Sequence, residues 1–575
     1  MKHLFCTAFF ISLWSPLVQA QSAPTPPGYQ DHAQLSARLK TLASRSGNAA
    51  TVESIGKSLS GKDIWLVTLG RGKATAKPAL LLVAGLDGSH LAGTEMAVEL
   101  AEKLLSSTSD SIRRVLDTKT IYVLPLVSPD AQAQAFAKLR FERTGNARDT
   151  DDDRDGRLNE DPFDDLNRDG QITQVRVDDP TGQYVPSKDD ARVLVKADPA
   201  KGETGRYLVL SEGVDADKDG QFNEDGDGGV APDKNFTFDY PFFTPGSGEM
   251  PVSEPENRAL LDFLAKSPNI YAVLTFGPYN NLSEAPKFDR TKTAKRIITG
   301  LLEKDVTVGE QVSKLYNAQT NLKDAPAMPA TKGNFAQTVY YHHGRFSFST
   351  PGWWVPKTTP AAPARRDSST TSAKPGLAGP GLAGPGLAGP AAKGSDDNED
   401  VRFLKWADAN GLTNVYVNWT PIEHPDFPGR KAEVGGLVPF AKQNPPVRFL
   451  ADNVQKHVQF VTALAGRMPQ IEIVNVRSES LGSNLHRITA QVVNRGLLPT
   501  GSDMGDRVRW VPKMKVELKL ADKQSVVSGR RIMLRGPMAA GETMDVTFLV
   551  SGSGRVTLEA GNAMTGVNQQ EINLK

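Results

Sequence analysis

Apolar positions in the first half of the chain fall into two kinds of pattern. The runs at 64–69, 79–83, 121–127 and 270–276 are continuous and rich in Leu, Val and Ile. Such runs predict strands buried on both faces. Between them, Leu35, Leu39 and Leu42 recur at helical spacing, and 94–105 and 254–265 also read as helices. Strands alternating with helices predict an α/β domain, a sheet with helices flanking both faces. The segment 451–464 adds a further helix. From residue 471 the rhythm changes to short alternating runs at 471–476, 486–493, 515–520, 543–550 and 555–560, separated by turn residues. That spacing predicts an all-β sandwich over 469–575.

Two stretches break the first pattern. Residues 149–239 form a long polar insert rich in Asp and Gly, and 358–400 repeat the unit Pro-Gly-Leu-Ala-Gly from Pro375, Pro380 and Pro385. Pro and Gly at that density build no core, so 358–400 reads as a disordered linker. The organisation expected is a signal peptide (1–20), a leader (21–30), an α/β domain (31–357) interrupted by the insert, the linker, a remainder of the α/β domain (401–466) and the sandwich. The sandwich resembles the Ig-like accessory modules of exported bacterial enzymes.

Length and charge narrow the class. At 575 residues the chain exceeds one hydrophobic core. Its 67 basic and 66 acidic side chains nearly cancel, so no field draws it to nucleic acid. Lys2 and His3, the apolar stretch 4–18 and the Val18-Gln19-Ala20 cleavage pattern read as a secretory signal. Cys6, the single cysteine, lies inside it and leaves no disulfide for the mature chain. No later segment is long and apolar enough to cross a membrane. The expectation is a periplasmic or secreted bacterial protein.

Several phrases carry a family resemblance. Ala84-Gly85-Leu86-Asp87-Gly88-Ser89-His90 is similar to the first zinc-ligand loop of the M14 metallocarboxypeptidases. Pro125-Leu126-Val127-Ser128-Pro129-Asp130-Ala131, Gly229-Val230-Ala231-Pro232-Asp233-Lys234-Asn235-Phe236 and Ser253-Glu254-Pro255-Glu256 resemble later phrases of that family in the same order. Tyr340-Tyr341-His342-His343-Gly344 through Trp353-Trp354 resembles the run leading to its catalytic glutamate. The resemblance implies an M14 carboxypeptidase-like (phosphorylase/hydrolase-like) mixed sheet, covering roughly 29–466 without insert and linker.

It also implies altered chemistry. A catalytic zinc takes three protein ligands and keeps a position open for water. By the resemblance, Asp87 stands in the seat of the first histidine, His90 in that of the glutamate, and Gly277 in that of the second histidine. Gly352 stands at the general-base seat, where no carboxylate is present to take a proton from water. Of the pair that would clamp a substrate carboxylate, Asp233 replaces an Asn and repels it, while Lys234 keeps the charge of an Arg without its fork. A rearranged zinc site would draw on Asp87 and His90 with His342, His343 or His424, and on Glu433 as base. Asp87 also reads as a cap of the following turn.

The insert has a pattern of its own. Asp151, Asp153, Asp155 and Asp161 recur in spacing as Asp215, Asp217, Asp219 and Asp225, with Asp165, Asn167 and Asp169 between them. Each run follows Asp-x-(Asp/Asn)-x-Asp-Gly-x-apolar, in which alternate carboxylates converge on a hard cation around a glycine turn. These loops resemble the calcium loops of EF-hands and dockerins. At the twelfth position, where EF-hands have a bidentate Glu, they carry Pro162, Arg176 and Gly226.

Three readings of function follow. The first is a catalytically impaired pseudo-peptidase that binds peptide or cell-wall material. The alternative is an active zinc metallocarboxypeptidase with a rearranged metal site. The third is a structural surface or assembly protein that uses the sandwich and the calcium loops.

Overall fold

The computed structural model describes residues 28–151, 156, 158, 162–216, 218, 229–357 and 398–575. The signal segment, nearly all of the leader and linker, and Asp153, Asp155, Asp161, Asp217, Asp219 and Asp225 lie outside these residues.

A mixed six-stranded sheet forms the centre of the first domain. Its order is Ala50–Lys57, Asp63–Leu69, Thr120–Leu124, Ala79–Ala84, Ile270–Phe276 and Phe346–Thr350. The first two strands form an antiparallel hairpin, and the last four run parallel. Strand alternation sorts the side chains of Ala79–Ala84 between two cores. Leu80, Leu82 and Ala84 join one with Leu39, Leu100, Tyr316 and Val458, while Leu81 and Val83 join the other with Leu260, Leu264 and Phe335. Helices His32–Arg45, Leu91–Ser106, Glu303–Thr320 and Ala451–Arg467 thus cover one face, and Pro255–Lys266 and Phe335–Tyr341 the other. Each fully buried Leu or Val contributes about 1.5–3 kcal/mol. The expected strand at 121–127 stops at Leu124, because Pro125 has no N–H to give the ladder.

The insert is more ordered than a run of loops. Its strands Gln174–Asp178, Tyr184–Pro186, Leu194–Lys196 and Tyr207–Ser211 join Tyr416–Ile422 and Ala432–Leu437, from beyond the linker, in a second antiparallel sheet. Residues 401–466 are therefore divided between two bodies. Helices Glu399–Ala409 and Ala451–Arg467 pack into the first core, and the strands between them complete the insert. Asn146 closes the neck of the insert: its backbone N–H donates to Val230 O at 2.8 Å, and its side chain accepts from Val230 N at 3.2 Å.

The C-terminal region is an all-β pair of four-stranded sheets around Ile488, Val516, Leu518, Phe548 and Leu558. It is fastened to the first domain through Asp305, which accepts from Asp503 N at 2.9 Å and Met504 N at 3.0 Å. Tyr271 Oη donates to Pro499 O at 2.8 Å beside it.

Candidate functional site

Three parallel strands end side by side. Ala84 pairs with Phe276, and Phe276 with Thr350, so the loops that follow them meet at one sheet edge. Open α/β sheets place ligands at this C-terminal edge. The loops carry Asp87 and His90, then Gly277, then Gly352. Gly277 N donates to Thr350 O at 3.1 Å and holds the second and third loops together.

Asp87 is turned onto its own loop. Its Oδ1 accepts from Ser89 N at 2.9 Å and Ser89 Oγ at 2.7 Å, a local turn cap. His90 occupies the N-cap of Leu91–Ser106 with its ring buried. Burial lowers its pKa against the Asp87 charge and the carbonyls of Phe276 and Pro351. Among the described residues its Nδ1 has no hydrogen-bond partner.

The remaining seats differ in the room they leave for a side chain. Gly352 has φ +74°, a conformation strained for any residue with a side chain, and a Cβ there would lie 2.5 Å from Met96 Sδ, which would have to shift. Gly277 is different, since a Cβ would meet only Thr275 Cγ2 at 3.7 Å. Asp233, on the short 3-10 turn Pro232–Lys234, accepts from Phe335 N at 2.9 Å. Burial, with the Asp87 charge adding, pushes its carboxyl up to about 7 against that hydrogen bond. The Lys234 ammonium lies beside Gly246.

These residues do not fit a zinc ion. Asp87 Oδ1 is engaged by Ser89, the His90 ring is buried and Gly277 offers no donor. Among the described residues no group of three or more His, Cys, Asp or Glu is placed to hold a metal. The other candidates are committed elsewhere. His342 Nδ1 bonds Thr237 Oγ1 at 2.7 Å, and His343 packs near Trp510. His424 Nε2 bonds Gly213 O at 3.0 Å, next to Asp215 in the insert. Glu433 lies on the second sheet and pairs with Arg176 at 2.7 Å, whose guanidinium is stacked between Tyr207 and Trp419, so it is not a base for the cleft.

The central acidic loop is described in full. Asp165 Oδ2 accepts from Gly170 N at 2.7 Å, and Asp165 Oδ1 and Asn167 Oδ1 both accept from Asp169 N at 3.0 Å. Gly170 takes φ +81°, the turn its position demands. Sequence reasoning missed Glu212. From the end of the Tyr207–Ser211 strand it accepts from Leu166 N at 3.0 Å, Thr173 N at 2.8 Å and Thr173 Oγ1 at 3.0 Å. Burial raises it to about 7, and the Asp169 charge adds to the rise. A lone Glu after an apolar run gives no motif, and its relation to the loop exists only through the second sheet. Of the outer loops, Asp151 Oδ2 accepts from Gly156 N at 3.1 Å and Asp215 N donates to Asp426.

A mixed sheet with the loops after its parallel strands gathered at one edge defines an α/β scaffold of the open-sheet class. The chain belongs to the zinc carboxypeptidase family, whose M14 model matches residues 35–354. Residues 470–573 match a domain of unknown function (DUF8731). Carboxypeptidase Z of Rattus norvegicus is 30% identical over 116 residues, covering 19% of this chain and 18% of that protein. Carboxypeptidase M of Mus musculus is 27% identical over 123 residues, covering 20% and 28%. The chain thus matches less than a third of the length of these two curated relatives. The crystal structure of carboxypeptidase A from Helicoverpa armigera aligns with a TM-score of 0.33 at 14% identity, over 56% of this chain and 63% of that one.

Proposed function

We propose that this chain is an exported, catalytically impaired member of the zinc carboxypeptidase family that binds peptide or cell-wall material in the cleft at the strand edge. The observation that carries this reading is Gly352. It supplies no carboxylate, its left-handed backbone disfavours any side chain, and one placed there would have to displace the Met96 sulfur. The Asp87 charge also acts on the buried Asp233 carboxyl, and two acidic groups within electrostatic reach make a poor receptor for a substrate carboxylate. Export rests on the signal pattern of residues 1–20 alone. Among the described residues no helix is long and apolar enough to cross a membrane.

In this reading the insert binds calcium for structure. The turn around Asp165, Asn167 and Asp169 supports it, because three oxygen-bearing side chains are already wound about one glycine corner. The test combines two assays on the mature protein: release of C-terminal residues from a peptide library in zinc-containing buffer, and retention on peptide and peptidoglycan. Retention without release supports the proposal. Turnover abolished by chelation would establish the active enzyme instead, and neither retention nor release would leave the structural role.

A further inference from the structure

Residues 287–297 carry five cations, Lys287, Arg290, Lys292, Lys295 and Arg296, against one acid, Asp289. The whole chain has 67 basic and 66 acidic side chains, so this excess is local and not the background of a basic protein.

The excess is gathered into one compact loop. Asp289 Oδ1 accepts from Thr291 N at 2.9 Å and Thr291 Oγ1 at 2.7 Å, which engages the one carboxylate inside the turn. Ala294 N donates to Arg290 O at 3.0 Å, and Thr299 N returns to Lys292 O at 3.2 Å. A Cβ on Gly300 would lie 2.8 Å from Lys292 Cβ, so the two arms of the loop touch. Ile298 packs against the cluster of Phe238, Tyr340, Tyr341 and Met504 and fixes the root. A surface loop closed at its neck and anchored by its own side chains presents its tip as a unit.

That tip is basic and apolar together. All five cations are exposed. Lys292 lies 3.8 Å from Asp289, and among the described residues no carboxylate pairs with the other four. The next acids along the chain, Glu284 and Glu303, stand outside the loop, and Asp305 is buried. Beside the cations, Ile297 is 67% exposed and Phe288 41%.

A soluble polyanion would be held by the cations alone and gains nothing from Ile297 or Phe288. A bilayer with acidic headgroups takes both kinds of side chain. The cations meet the headgroup charge, each worth roughly fivefold in partition, and the apolar groups enter the interface. We propose that the 287–300 loop docks this protein reversibly on an anionic lipid bilayer. The contact does not depend on what the strand-edge site binds or hydrolyses.

Co-sedimentation of the full mature chain with lipid vesicles tests this. Vesicles of equal parts phosphatidylglycerol and phosphatidylcholine are expected to bind it, and vesicles of phosphatidylcholine alone are not. Added salt lowers the binding by screening the charges. Lys295→Gln combined with Arg296→Gln weakens it by about 25-fold. Ile297→Ser, which keeps every charge, weakens it by about tenfold. These three side chains are exposed, so the fold tolerates both changes. Polyphosphate, a soluble polyanion, is the competing probe. Vesicle binding that polyphosphate abolishes and Ile297→Ser leaves unchanged would assign the loop to a soluble polyanion and overturn the proposal. Equal binding to both kinds of vesicle, no binding to the mixed ones, or indifference to the Lys295 and Arg296 exchanges would overturn it as well.

Discussion

Gly93 makes room for the imidazole of His90: a Cβ on Gly93 would fall 2.7 Å from His90 Nδ1. Inside an ordinary helix Gly→Ala gains about 1 kcal/mol. Here overpacking against a buried ring costs about 1–3 kcal/mol, so Gly93→Ala is expected to destabilise the domain by about 1 kcal/mol. In a His90→Ala background the same change should stabilise it. A double-mutant cycle by urea denaturation measures the coupling, and simple additivity would show that His90 does not pack on this helix turn.

Glu256 sets a pH dependence. Burial, with the charges of Asp130 and Glu254 adding, raises its carboxyl to about 7 from an ordinary 4.5, against the hydrogen bond from Asn146. The folded state thus holds this proton more tightly than the unfolded chain. The stabilisation is full below the unfolded value and lost as pH rises through about 7. Asp233 and Glu212 share the direction and the value. Glu256→Gln, which stays neutral, should raise Tm at about pH 8 and change it little at about pH 5. An equal shift at both values would remove Glu256 from the account.

Asp305 joins the two domains by accepting from Tyr340 Oη at 2.8 Å as well as from the backbone of Asp503 and Met504. Asp305→Ala leaves two buried donors and one half-buried donor without their acceptor, a loss of about 2–4 kcal/mol. Calorimetry should then resolve separate transitions for the α/β domain and the sandwich. A single transition moved by less than a degree would mean that the domains are coupled through other contacts.

Of the two altered seats held by glycine, Gly277 has space for a side chain and Gly352 does not without a shift of Met96. The triple variant Asp87→His, His90→Glu, Gly277→His is expected to acquire zinc, measurable as cobalt-substituted absorbance, yet to hydrolyse no peptide because Gly352 still supplies no base. Hydrolysis by that variant would show that the base lies elsewhere.

The central sheet was legible because Ala79–Ala84 and Ile270–Phe276 are buried on both faces and therefore read as unbroken apolar runs. The second sheet was not. Tyr184–Pro186 and Leu194–Lys196 are three residues each, and Gln174–Asp178 finds its partner Ala432–Leu437 only across the linker. In the sandwich, Ser525–Ser528 and Ile532–Arg535 are too short to show a period, and Gly566–Leu574 is largely polar. At the strand edge, the resemblance to the family's phrases pointed to Asp87, His90 and Gly277. The hydrogen bonds from Ser89 that engage Asp87, and the Met96 sulfur that closes the space at Gly352, depend on side-chain directions that no spacing encodes.

The most direct test of the central claim is the metal content of the purified mature protein by mass spectrometry, after dialysis against trace zinc and millimolar calcium. The account predicts bound calcium, reduced by substitution of Asp165 and Asp169, and no stoichiometric zinc. One zinc per chain, lost on Asp87→Ala or His90→Ala, would contradict it.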